Sequence, residues 1–161
     1  MTSTIMVNNI YVSVLAFGFG LTLGLGTLFV LAQNGMMLGA LAAVFTARGQ
    51  GVLFWSLILP HGVWELTAIF LAGAAGLQIG LALLRPGQMS RRDALLGAGR
   101  QAVSLMGLVC VLLVLAAVVE GFFTPSDLPS WAKLLFSGIA FVLLSVYLFF
   151  GGRRNQGLSN K

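Results

Sequence analysis

The chain has 161 residues, of which 58% are hydrophobic and only 8% are charged, and its formal net charge is +5. Average soluble domains carry about 25% charged residues, so this chain has too few charges to cover the surface of a soluble fold. Its apolar content excludes a disordered chain, and its single cysteine, Cys110, excludes a disulfide-stapled module. Basic residues form no run interleaved with polar residues, so nucleic acid is not an expected partner. The composition indicates one membrane domain (1–161) embedded in a lipid bilayer.

The first predicted membrane span covers residues 9–32, which exceeds the roughly 20 residues that a membrane helix needs. Gly20 and Gly24 form a pair of small residues four positions apart, a spacing that lets a second helix approach closely. The polar triplet at 33–35, Gln-Asn-Gly, is predicted to end this span in a tight turn.

The next region, 36–59, is predicted to form a short or re-entrant helix pair. Its first apolar stretch, 36–47, falls within the range of roughly 10–14 residues that is too short for a comfortable crossing. The polar segment Arg48-Gly49-Gln50-Gly51 interrupts it, and Pro60 ends the second stretch. The alternative is that 36–47 is a short true crossing, which would change the side of everything before it.

Three further spans follow, at 61–84, 101–119 and 130–151. Pro60 suits a helix start at the first of them. In the polar stretch between the first two, Ser90 and Asp93 resemble a capping box and predict a short helix from about Arg91. The predicted fold is therefore all-α, a polytopic transmembrane helical bundle with a broken or re-entrant helix pair.

Seven of the nine basic residues lie in two segments, 85–100 and the tail, where the tail bases are Arg153, Arg154 and Lys161. Two crossings separate these segments, so both lie on one side of the membrane, which the positive-inside rule makes cytoplasmic. Four full crossings and one hairpin then predict that both termini are cytoplasmic.

Few polar residues interrupt the apolar segments, and three of them are conspicuous. His61 and Glu65 are four positions apart and share a helix face, and Glu120 ends the following span. In the predicted topology His61 and Glu120 both lie at the outer membrane face, so the three side chains are expected to converge. Ionisable groups at membrane depth are costly and usually mark functional sites. Asn8 and Asn9, by contrast, are interpreted as interfacial caps.

Three interpretations of this polar cluster stay open. The first is a hydrogen-bonded network that locks the helices together, with Arg48 or a hydroxyl group as a counter-partner. The second is a site for a substrate, an ion or a proton, and Asn34 joins the candidate binding residues. The third is a metal site in which His61, Glu65 and Glu120 hold a divalent ion such as zinc and leave one position open. Apart from that metal, no cofactor is expected.

Several short segments occur in an order that resembles the stage II sporulation protein M family of bacterial and archaeal membrane proteins. The proline, histidine and glutamate of 59–66 (Leu-Pro-His-Gly-Val-Trp-Glu-Leu) are the most specific part. The other matching segments are Asn8-Asn9-Ile10, Asn34-Gly35-Met36-Met37-Leu38-Gly39, Ala72-Gly73-Ala74-Ala75-Gly76 and Glu120-Gly121-Phe122-Phe123-Thr124-Pro125. The resemblance implies a cell-membrane protein and places His61, Glu65 and Glu120 within the family pattern.

The resemblance further implies a role, because the family's namesake acts as a membrane scaffold in a complex with cell-wall hydrolases. Our first hypothesis is a non-enzymatic scaffold that binds envelope-remodelling partners and self-associates into a homo-oligomer. The alternative is a transporter or channel for a small solute or ion that uses the His61, Glu65 and Glu120 cluster. The third hypothesis is an intramembrane metal-dependent hydrolase.

Overall fold

The computed structural model describes residues 2–156, and all regular structure in this range is helical. The five helices are α1 (Thr2–Gly18), α2 (Leu25–Ala47), α3 (Gly51–Leu84), α4 (Arg91–Val118) and α5 (Ser130–Gln156). A 3₁₀ turn (Phe19–Thr22) leads from α1 towards α2, and a π-helical turn (Val119–Phe123) extends α4. Five helical segments are long and apolar enough to cross a membrane, which confirms the predicted all-α membrane bundle. Of the basic tail, Lys161 and the side chains of Arg153 and Arg154 lie outside the described residues.

The break between the first two helices lies earlier than predicted. The predicted span 9–32 contains it, because Leu23 (φ 59°) and Gly24 (φ 84°) both adopt the left-handed conformation, in which a right-handed helix cannot continue. The triplet 33–35, predicted as a turn, lies inside α2. The apolar stretch around Leu23 contains no polar marker of a turn, and a left-handed leucine is rare enough that the residue pattern does not reveal it.

The region 36–59 also differs from the predicted boundaries. Residues 36–47 are the second half of α2, and 51–59 are the beginning of α3. The predicted interruption at Arg48 is confirmed as the turn between these helices. Pro60 lies within α3 and does not start it. Proline is tolerated inside membrane helices because neighbouring groups satisfy the backbone carbonyl that it leaves free.

The polar stretch after α3 behaves as the capping pattern predicts. Asp93 donates its backbone N–H to Ser90 Oγ (3.1 Å), and the Ser90 hydroxyl donates to Asp93 Oδ2 (2.6 Å). The helix that begins at Arg91 does not stop before 101, however, and continues into the predicted span as one helix, α4.

Helix α3 is the centre of the bundle and packs against each of the other four helices. Successive helices alternate in direction, so α1 and α5 run parallel to α3 while α2 and α4 run antiparallel to it. Between α3, α4 and α5 lies an apolar core of small and branched side chains: Val63, Ala68, Ala72, Val109, Leu112, Leu113, Ala140 and Leu144.

On the other side of α3, glycines bring the α1–α2 turn into contact with the helix backbone. A Cβ atom at Gly20 would overlap the backbone of Gly76, and one at Gly80 would lie 2.7 Å from the Gly24 nitrogen. Buried Thr27 completes the contact by donating its hydroxyl to the carbonyl of Ala16 (2.7 Å). The close packing predicted for Gly20 and Gly24 is confirmed, although both belong to the turn region and not to a continuous helix.

Candidate functional site

A cavity of about 400 Å³ lies between α1, α2 and α3, nearer to the turn at 48–50 than to the glycine contact. Its walls are mainly apolar and include Ile5, Met37, Leu38, Leu41, Ile58, Leu66 and Ile69. Its polar lining consists of Thr4, Asn8, Asn9, Asn34, His61 and Glu65. Apolar walls with a few convergent polar groups are typical of small-molecule sites.

His61 and Glu65 form the buried floor of this cavity. They are one turn apart on α3, and their side chains are only 4% and 8% exposed. The His61 ring Nδ1 lies 3.1 Å from Thr124 Oγ1, which ties the floor to the loop after α4. The amide of Asn9, on α1, is hydrogen-bonded to the Glu65 carboxyl group. Three segments of the chain therefore hold these two side chains in place.

Glu65 lies within α3, an apolar helix that is long enough to cross a membrane. The apolar helix α5 begins at Ser130, whose hydroxyl is 3.1 Å from that of Ser56 on α3. Glu65 follows Ser56 by nine residues, or about 14 Å at ~1.5 Å per helical residue. The hydrocarbon core of a bilayer is about 30 Å thick, so Glu65 lies near its middle if α5 enters the membrane at Ser130.

Glu120 reaches the same region from the π-helical turn at the end of α4. Its carboxyl group is close enough to interact electrostatically with that of Glu65, its residue is 6% exposed, and its buried Oε2 has no hydrogen-bond partner. π-Helical turns within helices occur frequently at functional sites. Glu120 does not line the cavity itself.

The five predicted site residues are thus divided by the structure. Asn34, His61 and Glu65 line one cavity, and Glu120 lies outside it but within electrostatic reach of Glu65. Arg48 is exposed at the end of α2, in the turn to α3, and is not part of this group. Ten helical positions, from Gly51 to His61, separate this turn from His61 by about 15 Å, and the partner of His61 is the Thr124 hydroxyl and not Arg48.

Two features of the site are absent from the sequence prediction. Asn9, interpreted as an interfacial cap, is buried at the cavity, and Asn8 lines its rim. Lys133, near the start of α5, is 5% exposed and donates from Nζ to the carbonyl oxygen of Thr124 (2.7 Å). The only signal for Asn8 and Asn9 was their place in the family-like segments, and a lone lysine near a span end gave no signal at all.

The arrangement gives the metal hypothesis no support. Within residues 2–156, no three His, Cys, Asp or Glu side chains are grouped so that they could hold a metal ion. The set of His61, Glu65 and Glu120 as metal ligands stays a prediction.

Comparisons with known proteins agree on one family. The family model for stage II sporulation protein M matches residues 1–125. The chain is similar to uncharacterized protein MJ0793 of Methanocaldococcus jannaschii, with 30% identity over 129 residues that cover 76% of this chain and 70% of that protein. It is also 29% identical over 133 residues to uncharacterized protein MJ0706 of the same organism, covering 81% of this chain but only 56% of that relative. No solved structure matches the chain significantly.

Proposed function

The chain belongs to the stage II sporulation protein M family, and from that premise we propose that it is a non-enzymatic membrane scaffold for envelope-remodelling partners. The observation that supports this role is how little of the described chain lies outside helices. The connections are short, at 23–24, 48–50, 85–90 and 124–129. In the described part of the chain, the surface available to a partner therefore consists largely of helix faces.

Helix α5 offers the most suitable surface. Among the described residues it packs mainly against α3, and another face is apolar and exposed, at Leu135, Ile139, Val142 and Val146. A Cβ atom at Gly138 would meet nothing within 4 Å, so the backbone is open to an approaching helix there. Small residues of this kind favour close contact between membrane helices. We propose that this face binds a second copy of the chain or a partner helix.

A photo-crosslinking pair tests the scaffold role in native membranes. A photoreactive residue at Val142 (57% exposed, on α5) is compared with one at Val111 (56% exposed, on α4). The scaffold role predicts that Val142 crosslinks to a second copy or to a cell-wall hydrolase, while Val111 crosslinks to lipid. It fails if Val142 captures only lipid, or if both positions capture the same proteins equally.

The orientation we propose follows from five crossings. The positive-inside rule keeps 85–100 cytoplasmic, and alternating helices then place the turn at 48–50 and the start of α1 outside. The prediction that both termini are cytoplasmic depended on a re-entrant hairpin at 36–59, whereas this region belongs to the two long helices α2 and α3. With Cys110 replaced by serine, Thr4→Cys should react with a membrane-impermeant thiol reagent on intact cells, and Gln88→Cys only after permeabilisation. Protection of Thr4→Cys from the reagent on intact cells would instead support four crossings and one hairpin, with a cytoplasmic N-terminus.

A second candidate function is transport of a small solute or ion, which the polar cavity at membrane depth favours. Polar groups beside discontinuous membrane helices are typical of transporter sites. Flux into proteoliposomes should then be lost in Glu65→Gln. A flux that this variant leaves unchanged would exclude the cavity as its route.

A further inference from the structure

The cavity beside α3 has an acidic side chain in its lining but no described basic side chain to pair with it. Its titratable lining groups are Glu65 and His61, Glu120 lies within electrostatic reach of Glu65, and none of the described lysines and arginines lines it. Among the described basic side chains, Lys133 donates to the Thr124 carbonyl and Arg48 is exposed in the turn, so neither pairs with Glu65. A buried carboxylate is costly unless a cation pairs with it. The polar part of the cavity therefore suits a positively charged group and disfavours a phosphate or a carboxylate.

The remaining polar lining adds hydrogen-bond acceptors. Asn8, Asn9 and Asn34 each carry an amide carbonyl oxygen, and Asn9 is positioned by its hydrogen bond with the Glu65 carboxyl. A primary ammonium group has three N–H donors and no acceptor, so it can satisfy a carboxylate and two amide oxygens at once.

The apolar part of the cavity suits a chain attached to that group. Three of its apolar lining side chains, Ile5 on α1 and Met37 and Leu41 on α2, are exposed on the outer surface of the bundle. The mouth therefore lies between α1 and α2, facing the surrounding lipid, while Glu65 and His61 lie on the buried floor. Methionine at such a rim adapts to apolar groups of varied shape.

We propose that this cavity binds an amphipathic amine from the membrane, with its ammonium group at Glu65 and its apolar chain leaving between α1 and α2. This binding site is independent of the scaffold role and of the α5 surface. It also gives a ligand class to the polar cluster that does not require the ligand to be transported.

Photolabelling with matched probes tests the proposal on the full chain in vesicles of zwitterionic lipid. Three probes carry the same long diazirine chain and end in a primary amine, an alcohol or a carboxylic acid. The amine should label peptides of α1, α2 and α3 more than the other two, and unlabelled long-chain amine should compete while the alcohol should not. Equal labelling by amine and alcohol would show an apolar crevice filled by bulk lipid and would overturn the proposal.

Two variants locate the site. Glu65→Gln should reduce amine labelling to the level of the alcohol, whereas Asp127→Asn, which removes a carboxylate from an exposed loop, should leave it unchanged. Met37→Trp, at the exposed rim, should obstruct the mouth without disturbing the packed core. If Glu65→Gln and Met37→Trp both retain full amine labelling, the site is elsewhere and the proposal is wrong. Crosslinking from Val142 is unaffected by either result, so the scaffold role fails or succeeds separately.

Discussion

The two ends of the α1–α2–α3 unit are built from the same three helices but differ in what lies between them. At one end, Gly20, Gly76 and Gly80 remove side chains from the interface, and the α1–α2 turn rests on the backbone of α3. At the other end, asparagines, His61 and Glu65 occupy the interface and a cavity of about 400 Å³ remains. Without a hydrophobic driving force between helices in lipid, close packing and polar contacts have to hold them together.

This difference shows that the packing of α1 and α2 against α3 depends on which α3 side chains lie at each level of the interface. Glycine at the closed end permits backbone contact, while at the open end larger side chains of α1, α2 and α3 surround a cavity. The open end is where a ligand can be accommodated without changing the helix arrangement.

The largest expected effect is from a methyl group at the closed end. Gly20→Ala would place its Cβ against the backbone of Gly76, which has no flexible side chain to move aside. Overpacking of this kind costs about 1–3 kcal/mol or more in free energy of unfolding. Gly18→Ala, where a Cβ meets nothing within 4 Å, is the matched control and should gain about 0.5–1 kcal/mol. Thermal unfolding in detergent measures both, and equal midpoints would contradict the close contact.

The second-largest loss of stability is expected from Lys133, which holds the loop beside the open end. Lys133→Met keeps the length of the side chain but removes the donor to the Thr124 carbonyl, next to the hydroxyl that meets His61. Hydrogen bonds from charged groups contribute about 1.5–3 kcal/mol, so the unfolding midpoint should fall. Amine labelling should fall with it, because the loop that holds His61 loosens. An unchanged midpoint would mean that Lys133 does not anchor the loop.

A smaller loss is expected at the closed end from Thr27→Val, which preserves shape but removes the hydrogen bond to Ala16. Hydrogen bonds between membrane helices contribute about 0.6 kcal/mol on average. Thr46→Val, at an exposed position of the same helix, is the control and should leave the unfolding midpoint unchanged. Equal midpoints in the two variants would show that the contact with Ala16 contributes nothing.

The smallest effect on stability is expected at the open end. Asn34→Leu replaces a half-buried polar side chain next to empty space, so the free energy of unfolding should change by no more than about 0.5 kcal/mol. Amine labelling should nevertheless fall, because an acceptor is lost. A destabilisation as large as that of Gly20→Ala would mean that Asn34 is a structural contact and not part of a cavity lining.

Much of this arrangement is predictable from the residues. Low charge and high apolar content predict the helical membrane bundle, Ser90 and Asp93 predict the start of α4, and the spacing of His61 and Glu65 predicts a shared face. These are local properties, and local patterns are what a sequence displays directly.

The features that escaped prediction depend on tertiary contacts or on unusual backbone. The left-handed Leu23 lies in the connection between α1 and α2, inside an apolar stretch, and Asn34 lies within α2, where it lines the cavity. Asn9 is a site residue only because α1 runs parallel to α3 and brings it to Glu65. Arg48 was grouped with the site because of its charge alone, whereas the structure places it in the exposed turn between α2 and α3, outside the cavity.

The difference between the closed and open ends is tested most directly by two cysteines on the same face of α2. Thr27 and Asn34 are seven positions apart; Thr27 is completely buried at the glycine contact, and Asn34 lines the cavity. In a Cys110→Ser background, Asn34→Cys should react readily with a small membrane-permeant thiol reagent, while Thr27→Cys should react only when the protein unfolds. Similar reaction rates at the two positions in folded protein would show that the two ends of the α1–α2–α3 unit are packed alike.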